Sequence, residues 1–212
     1  MTTPACTSCL SRLAKRYCGV VIALILCVVL LPLGVMIALL IKLSSKGPVF
    51  YLSHRLGKNR HPIKVIKFRT MTMDADRNLE QLLSESPALT MEWREKRKLD
   101  SDPRVTRVGK LLRRSSLDEL PQLFNVLAGD MALVGPRPIV EEEIEKYGRH
   151  ADLLFSVPPG ITGLWQVSGR SELPYERRIA LDVYYITHWS FWLDTVIFLK
   201  TFREVFIQRG AK

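Results

Sequence analysis

The chain has 212 residues, 47% hydrophobic and 25% charged, with a formal net charge of +10. That is room for one domain with a sizeable core plus a membrane element. Its four cysteines, Cys6, Cys9, Cys18 and Cys27, all lie at or before an apolar run and leave the rest of the chain without a disulfide framework.

The charge is uneven. No Asp or Glu precedes Asp74, whereas eleven of the 31 lysines and arginines do. A basic excess tied to an apolar segment favours anionic lipid headgroups over nucleic acid as the partner. Cys6-x-x-Cys9 is half a zinc site with no second pair, and His54, His61, His150 and His188 lack ligand spacing. Residues 20–41 form a run of 22 without a charge. As one helix the run would be about 33 Å long, enough to cross a hydrocarbon core. It is too long for a signal peptide and has no small-residue cleavage site. Pro32, with Gly34 close by, predicts a kink or break in its middle. Arg12, Lys15 and Arg16 precede the run and Lys42 and Lys46 follow it. The positive-inside rule therefore selects no orientation, as a hairpin with both ends in the cytoplasm would produce. Periodicity alone leaves re-entrant and spanning arrangements open.

Gly47-Pro48 closes this element, so the chain divides into 1–48 and a domain over 49–212. A short strand is expected at 49–52, a basic turn at 57–62, and a second strand at 63–71, where Ile66 and Phe68 alternate with Lys67 and Arg69. Residues 74–102 read as a charged, weakly helical excursion and 108–114 as a short basic helix. A second helix should begin between Ser116 and Pro121, because proline is tolerated only in a first turn. A strand at 131–134, an acidic helix at 141–147, a turn-rich stretch at 158–170 and a helix at 176–187 follow. The predicted class is α+β, mainly helical with a few short strands. The last element, 189–208, is an amphipathic helix carrying Trp189, Phe191, Trp192 and Phe198 among Lys200, Arg203 and Arg209. That mixture suits a helix lying in a membrane interface, with a core helix as the alternative.

The chemistry-bearing stretch runs from Arg113-Arg114 through Asp118-Glu119-Leu120-Pro121 to Gly135-Pro136-Arg137-Pro138. Adjacent carboxylates on a helix point about 100° apart, so Asp118 and Glu119 cannot form a symmetric dyad. One can meet a substrate while the other holds a metal or a proton. A helix N-terminus there would favour their ionised forms and attract phosphate, and an ionised carboxylate can attack phosphorus. Ser116-Leu117-Asp118-Glu119 equally fits a capping box, with Ser116 as N-cap and Glu119 at N3. Arg113, Arg137 and Arg170 each flank a turn or helix end, where guanidinium groups can grip phosphate oxygens or make surface salt bridges.

Several stretches together resemble one family. They are Lys67-Phe68-Arg69-Thr70-Met71, Asp102-Pro103-Arg104, Ser116 to Leu127, Gly129 to Pro138, Pro159-Gly160-Ile161-Thr162-Gly163, Gln166-Val167-Ser168-Gly169-Arg170 and Leu181-Asp182-Val183-Tyr184-Tyr185. They are similar to the bacterial sugar transferases, monotopic phosphoglycosyl transferases that start glycan assembly on polyprenyl phosphate. The chain looks like a small member without the extra membrane-spanning domain of larger ones. It is most like the undecaprenyl-phosphate galactose phosphotransferase branch.

The resemblance implies a ping-pong transfer of sugar-1-phosphate from a UDP-sugar to undecaprenyl phosphate, with release of UMP, at the first membrane step of exopolysaccharide, capsule or O-antigen assembly. Asp118 would be the nucleophile and Glu119 the Mg²⁺ ligand. Arg113, Pro136 and Arg137 would shape the phosphate site, and Lys67, Arg69, Arg170 and Asp194 match further polar positions of the pocket. The family's membrane element is a re-entrant helix broken at a Ser-Pro pair. The pair here is Leu31-Pro32, so the break would rest on Pro32 alone. The implied location is the bacterial inner membrane, with the catalytic domain on the cytoplasmic face and the bilayer, not nucleic acid, as partner. A homodimer and the identity of the sugar stay open, and an inactive membrane-tethered scaffold is the rival reading.

Overall fold

The computed structural model describes residues 9–96, 99, 102–169 and 172–207. Helices α1 (Cys9–Val29) and α2 (Leu31–Ser44) meet at Leu30 and are bent by 61°. Pro32 sits in the first turn of α2. It lacks an N–H and its ring crowds the preceding turn, so the α1 ladder ends there and a new helix starts. No single helix among the described residues is long and apolar enough to cross a membrane, whereas the bent pair together meets that length and composition. Its outer surface is apolar and exposed, with Leu24, Val28, Leu31, Leu39 and Leu43 each more than half accessible.

The inner surface of the pair packs on the domain. Ala23 of α1 is fully buried in the main core, and Ile37 and Ile41 of α2 form a second cluster with Phe68 and Leu112. The basic flank expected to face lipid is partly turned inward. Arg16 donates to the carbonyls of Val126 and Leu127, the latter at 3.0 Å, and Lys15 meets Asp194 at 2.8 Å.

Strands β1 (Phe50–Leu56) and β2 (Pro62–Phe68) form an antiparallel hairpin with Phe50 opposite Phe68 and Leu56 opposite Pro62. β1 is longer than its four expected residues. The turn between them places Asn59 and Arg60 at φ 55° and 61°, the left-handed region that short polar residues tolerate best. Helices α3 (Ala75–Glu85) and α4 (Pro87–Lys96) form the expected charged excursion. After α5 (Arg107–Ser115) and α6 (Gln122–Ala128), the short strand β3 (Ala132–Val134) pairs in parallel with β4 (Gly160–Thr162). Between them lie α7 (Ile144–Tyr147) and α8 (Ala151–Phe155).

Helices α9 (Tyr175–Thr187) and α10 (Phe191–Ile207) close the fold. α10 has a core face and an exposed apolar face. Ile197 is fully buried and Leu193 and Phe198 pack on the main core, while Trp192 is 75% and Leu199 62% exposed. Thr201 ties α10 to β4 through Thr162, at 2.7 Å.

Candidate active site

The site is assembled from α5, the turn after it, α6 and β2. Thr106 caps α5, its hydroxyl accepting from the Gly109 N–H at 2.9 Å. Gly109 lets α5 lie directly on the chain leaving β2, since a Cβ there would strike the Thr70 carbonyl. This approach brings the Arg113 guanidinium to the Thr70 hydroxyl, Nε to Oγ1 3.0 Å.

The capping-box expectation for Ser116 is corrected here. Ser116 has φ 57° and closes α5 from the left-handed region, its N–H bonded back to the Arg113 and Leu112 carbonyls, and its side chain caps nothing. A helix C-terminus needs such a reversal to satisfy its last carbonyls. Residues Leu117–Glu119 then form a single 3₁₀ turn rather than the first turn of a long helix, so the expected favouring of both ionised carboxylates by a helix N-terminus does not apply. Leu117 and Leu120 pack against the Ile37 and Ile41 cluster of α2. Asp118 and Glu119 between them are the polar side of that turn.

α6 is locked to β2 by one buried side chain. The Asn125 carbonyl oxygen accepts from the Ile66 N–H at 2.9 Å and its amide donates to the Lys64 carbonyl at 2.8 Å. Asn125 therefore acts as a short extra strand edge, satisfying backbone groups that would otherwise be orphaned. With α6 held there, Lys67 of β2 reaches the Glu119 carboxylate, Nζ to Oε1 2.8 Å.

The two carboxylates feel opposite environments. Burial raises the pKa of Glu119, but Lys67 and Arg137, with hydrogen bonds from Lys67 and Gln122, outweigh it, and the group lies below the ordinary glutamate range. Burial and then the charge of Glu119 push Asp118 up to about 6, against the smaller pull of Lys67 and Arg113. Burial lowers the pKa of Arg113, with Asp118 and Asp102 as the compensating anions.

A cleft opens in front of Glu119, lined by Arg55, Val65, Lys67, Gln122, Arg137, Pro138, Gly160, Ile161 and Gln166. Two glycines shape its far wall. A Cβ on Gly135 or Gly160 would collide with the backbone of the other, so only this pair lets the 135–138 loop press onto β4. The Gly160 N–H donates to the Pro136 carbonyl at 2.8 Å, and Pro136 itself is fully buried. The exposed Arg137 is thereby carried to the same cleft as Gln166.

Of the residues singled out in the sequence, Lys67, Glu119 and Arg137 share this cleft, with Asp118 and Arg113 beside it. Arg69 is elsewhere. Its guanidinium is buried against the end of α2, donating to the Lys46 carbonyl at 2.7 Å and to the Ser45 carbonyl at 2.8 Å. Asp194 binds Lys15, Tyr185 and Trp189, Pro32 is at the bend of the helix pair, and Arg170 lies outside the described residues.

Arg55, Gln122 and Gln166 were not singled out. Arg55 shares a face with Lys67, because Tyr51 stands opposite Lys67 and Ser53 opposite Val65 in the hairpin register. A β1 cut short at residue 52 conceals it. Among the described residues no group of three or more His, Cys, Asp or Glu could hold a metal. Two adjacent carboxylates next to a cationic cleft fit Mg²⁺ only in its usual partnership with substrate phosphate oxygens.

Residues 10–208 match the family model described as bacterial sugar transferase. The chain is 45% identical over 199 residues to the exopolysaccharide production protein ExoY of Sinorhizobium fredii, covering 94% of this chain and 88% of that one. It is 43% identical over 202 residues to the undecaprenyl-phosphate galactose phosphotransferase of Salmonella typhimurium, covering 95% of this chain and 42% of that one. With the UDP-glucose:undecaprenyl-phosphate glucose-1-phosphate transferase of Escherichia coli it shares 40% over 210 residues, again 95% of this chain and 42% of the other. An acid pair set among cations in front of a glycine-shaped loop, on a chain matched almost end to end, belongs to the bacterial sugar transferase family.

Proposed function

We propose that the protein transfers a sugar-1-phosphate from a UDP-sugar to undecaprenyl phosphate through a covalent aspartyl intermediate. An Asp118 carboxylate oxygen attacks the sugar-linked phosphorus, the bond from that phosphorus to the bridging oxygen breaks, and UMP leaves with the bond's electron pair. A phosphate oxygen of the lipid then attacks the same phosphorus, freeing Asp118 and yielding undecaprenyl-diphosphate-sugar. The observation that carries this reading is the placement of Asp118-Glu119 between Lys67 and Arg113 and beside Arg55 and Arg137. A nucleophile with guanidinium and ammonium groups on both sides suits a diphosphate whose charge must be held still during displacement. Glu119 would be the residue that holds Mg²⁺, whose charge would offset that of the crowded phosphate oxygens.

The bent α1–α2 pair is read as a re-entrant membrane hairpin on the cytoplasmic face of the inner membrane, supported by its exposed apolar surface and basic flanks. A lipid phosphate lies at headgroup level, and α2 also carries the turn that bears Asp118. The test is UMP release and radiolabelled transfer into lipid with a panel of UDP-sugars. Asp118→Asn should abolish both, and full activity of that variant overturns the covalent mechanism. Cysteine accessibility at both ends of the pair should report one side of the membrane; opposite sides refute the hairpin.

A further inference from the structure

We propose that Gln166 reads a neutral hydrogen-bond donor of the nucleotide sugar, a hydroxyl or an imide N–H, through its side-chain carbonyl. The inference rests on the donor reading above and adds a residue to it.

The cleft holds three cations, Arg55, Lys67 and Arg137, and two glutamines. The cations suit phosphate oxygens, which only accept. Gln122 is committed, since its amide supports the Glu119 carboxylate. Gln166 is committed at one end only. Its Nε2 donates to the Ile161 carbonyl at 3.1 Å, which fixes the amide's orientation and makes the other atom the acceptor. That atom, Oε1, is buried and has no hydrogen-bond partner among the described residues. A buried acceptor left unpaired is unfavourable and is relieved only by a donor.

A phosphate oxygen cannot be that donor, because two acceptors repel. The groups on a nucleotide sugar that can donate are the hydroxyls of the hexose and ribose and the uracil N–H. Gln166 is thereby suited to the neutral part of the ligand, in the same cleft as cations that suit its phosphates. Arg137, on the loop pressed against β4 by Gly135 and Gly160, stands in the same cleft and suits the phosphates. A site with a committed acceptor discriminates strongly against a ligand lacking the matching donor.

The test uses the full chain in detergent, wild type and Gln166→Met, with the UDP-hexose that gives the fastest UMP release. Initial rates are compared for that donor and its deoxy analogues at each hexose position, and inhibition by UMP is measured for both proteins. If a hexose hydroxyl is the donor, wild type loses about 10- to 100-fold in kcat/KM on one analogue and Gln166→Met shows no further loss on it. If the nucleoside supplies the donor, the analogues are unaffected but UMP binds Gln166→Met about tenfold more weakly. A Gln166→Met enzyme that keeps both wild-type discrimination and wild-type UMP affinity, or that loses rate equally on every donor with UMP binding intact, overturns the proposal. Absence of UMP release by the wild-type protein from any UDP-sugar would instead overturn the donor reading.

Discussion

Asp182 is fully buried on α9, with one carboxylate oxygen accepting from the Tyr147 hydroxyl at 2.9 Å and the other unpaired among the described residues. Burial outweighs that single hydrogen bond and lifts its pKa from 3.8 to about 7. Between those values the folded protein keeps a proton that the unfolded chain has released, so stability falls as pH rises through the interval. The slope is about 1.4 kcal/mol per pH unit and the full cost about 4 kcal/mol. Asp182→Asn removes the titration while its carbonyl still accepts from Tyr147. The buried amide N–H₂ then lacks an acceptor, at about 1–3 kcal/mol, but that penalty is independent of pH. Thermal unfolding of the detergent-solubilised proteins from about pH 5 to about pH 8.5 should show the variant gaining on wild type as pH rises. From pH 5 upward about 2.7 kcal/mol of that cost is still to come, so the difference should change by about 5–10 °C, at roughly 2–4 °C per kcal/mol for a chain of this size. A difference in Tm that stays constant across the range would refute the reasoning, because it would mean that Asp182 is ionised in the fold at little cost.

Asn125→Leu should lower stability by about 2–4 kcal/mol, because the Ile66 N–H and Lys64 carbonyl lose their buried partners. UMP release should fall further than stability alone explains, since α6 no longer holds Glu119 against Lys67. Gly109→Ala should cost about 1–3 kcal/mol and most of the activity, its Cβ driving α5 off Thr70 and taking Arg113 with it. Gly34→Ala, which meets nothing within 4 Å, is the matched control and should melt like wild type. Arg55→Gln should raise the KM for the UDP-sugar about tenfold with a smaller change in kcat, as expected for one lost charge-assisted contact in the bound donor; an unchanged KM would remove Arg55 from the binding site.

The legible parts of the fold were those with strong local physics. β2 alternates apolar and basic residues, Pro32 interrupts an apolar helix, and both produced the elements expected. His54 and Arg55 interrupt the alternation of β1, whose register comes from pairing with β2 rather than from its own pattern. That interruption concealed Arg55. Ser116 misled for the opposite reason. Ser-x-x-Glu is a true local preference, yet the preceding α5 takes its C-terminal reversal at Ser116, and from φ 57° the serine side chain makes no cap hydrogen bond to the turn that follows. Arg69 and Asp194 bind the end of α2 and Lys15 of α1. Composition cannot separate an arginine that grips a carbonyl from one that grips a phosphate.

Those structural contacts also argue that the helix pair and the acid pair are one mechanical unit. Leu117 and Leu120 place the Asp118-Glu119 turn on α2, Arg69 clamps the end of α2 at Ser45 and Lys46, and Arg16 of α1 holds the final carbonyls of α6. A tether needs only a flexible link to the domain it anchors, and charged side chains are not buried to make one. Burying Arg69 and pairing Lys15 with Asp194 fixes the height and tilt of the site relative to the helix pair. If the pair is the membrane hairpin proposed above, that rigidity would set the site's height against an acceptor confined to the bilayer plane, in return for the desolvation cost. On this view, loosening the pair with Arg69→Met should spare UMP release from a UDP-sugar and depress transfer to the lipid. Equal losses in both half-reactions would mean that Arg69 supports the site alone and not its placement.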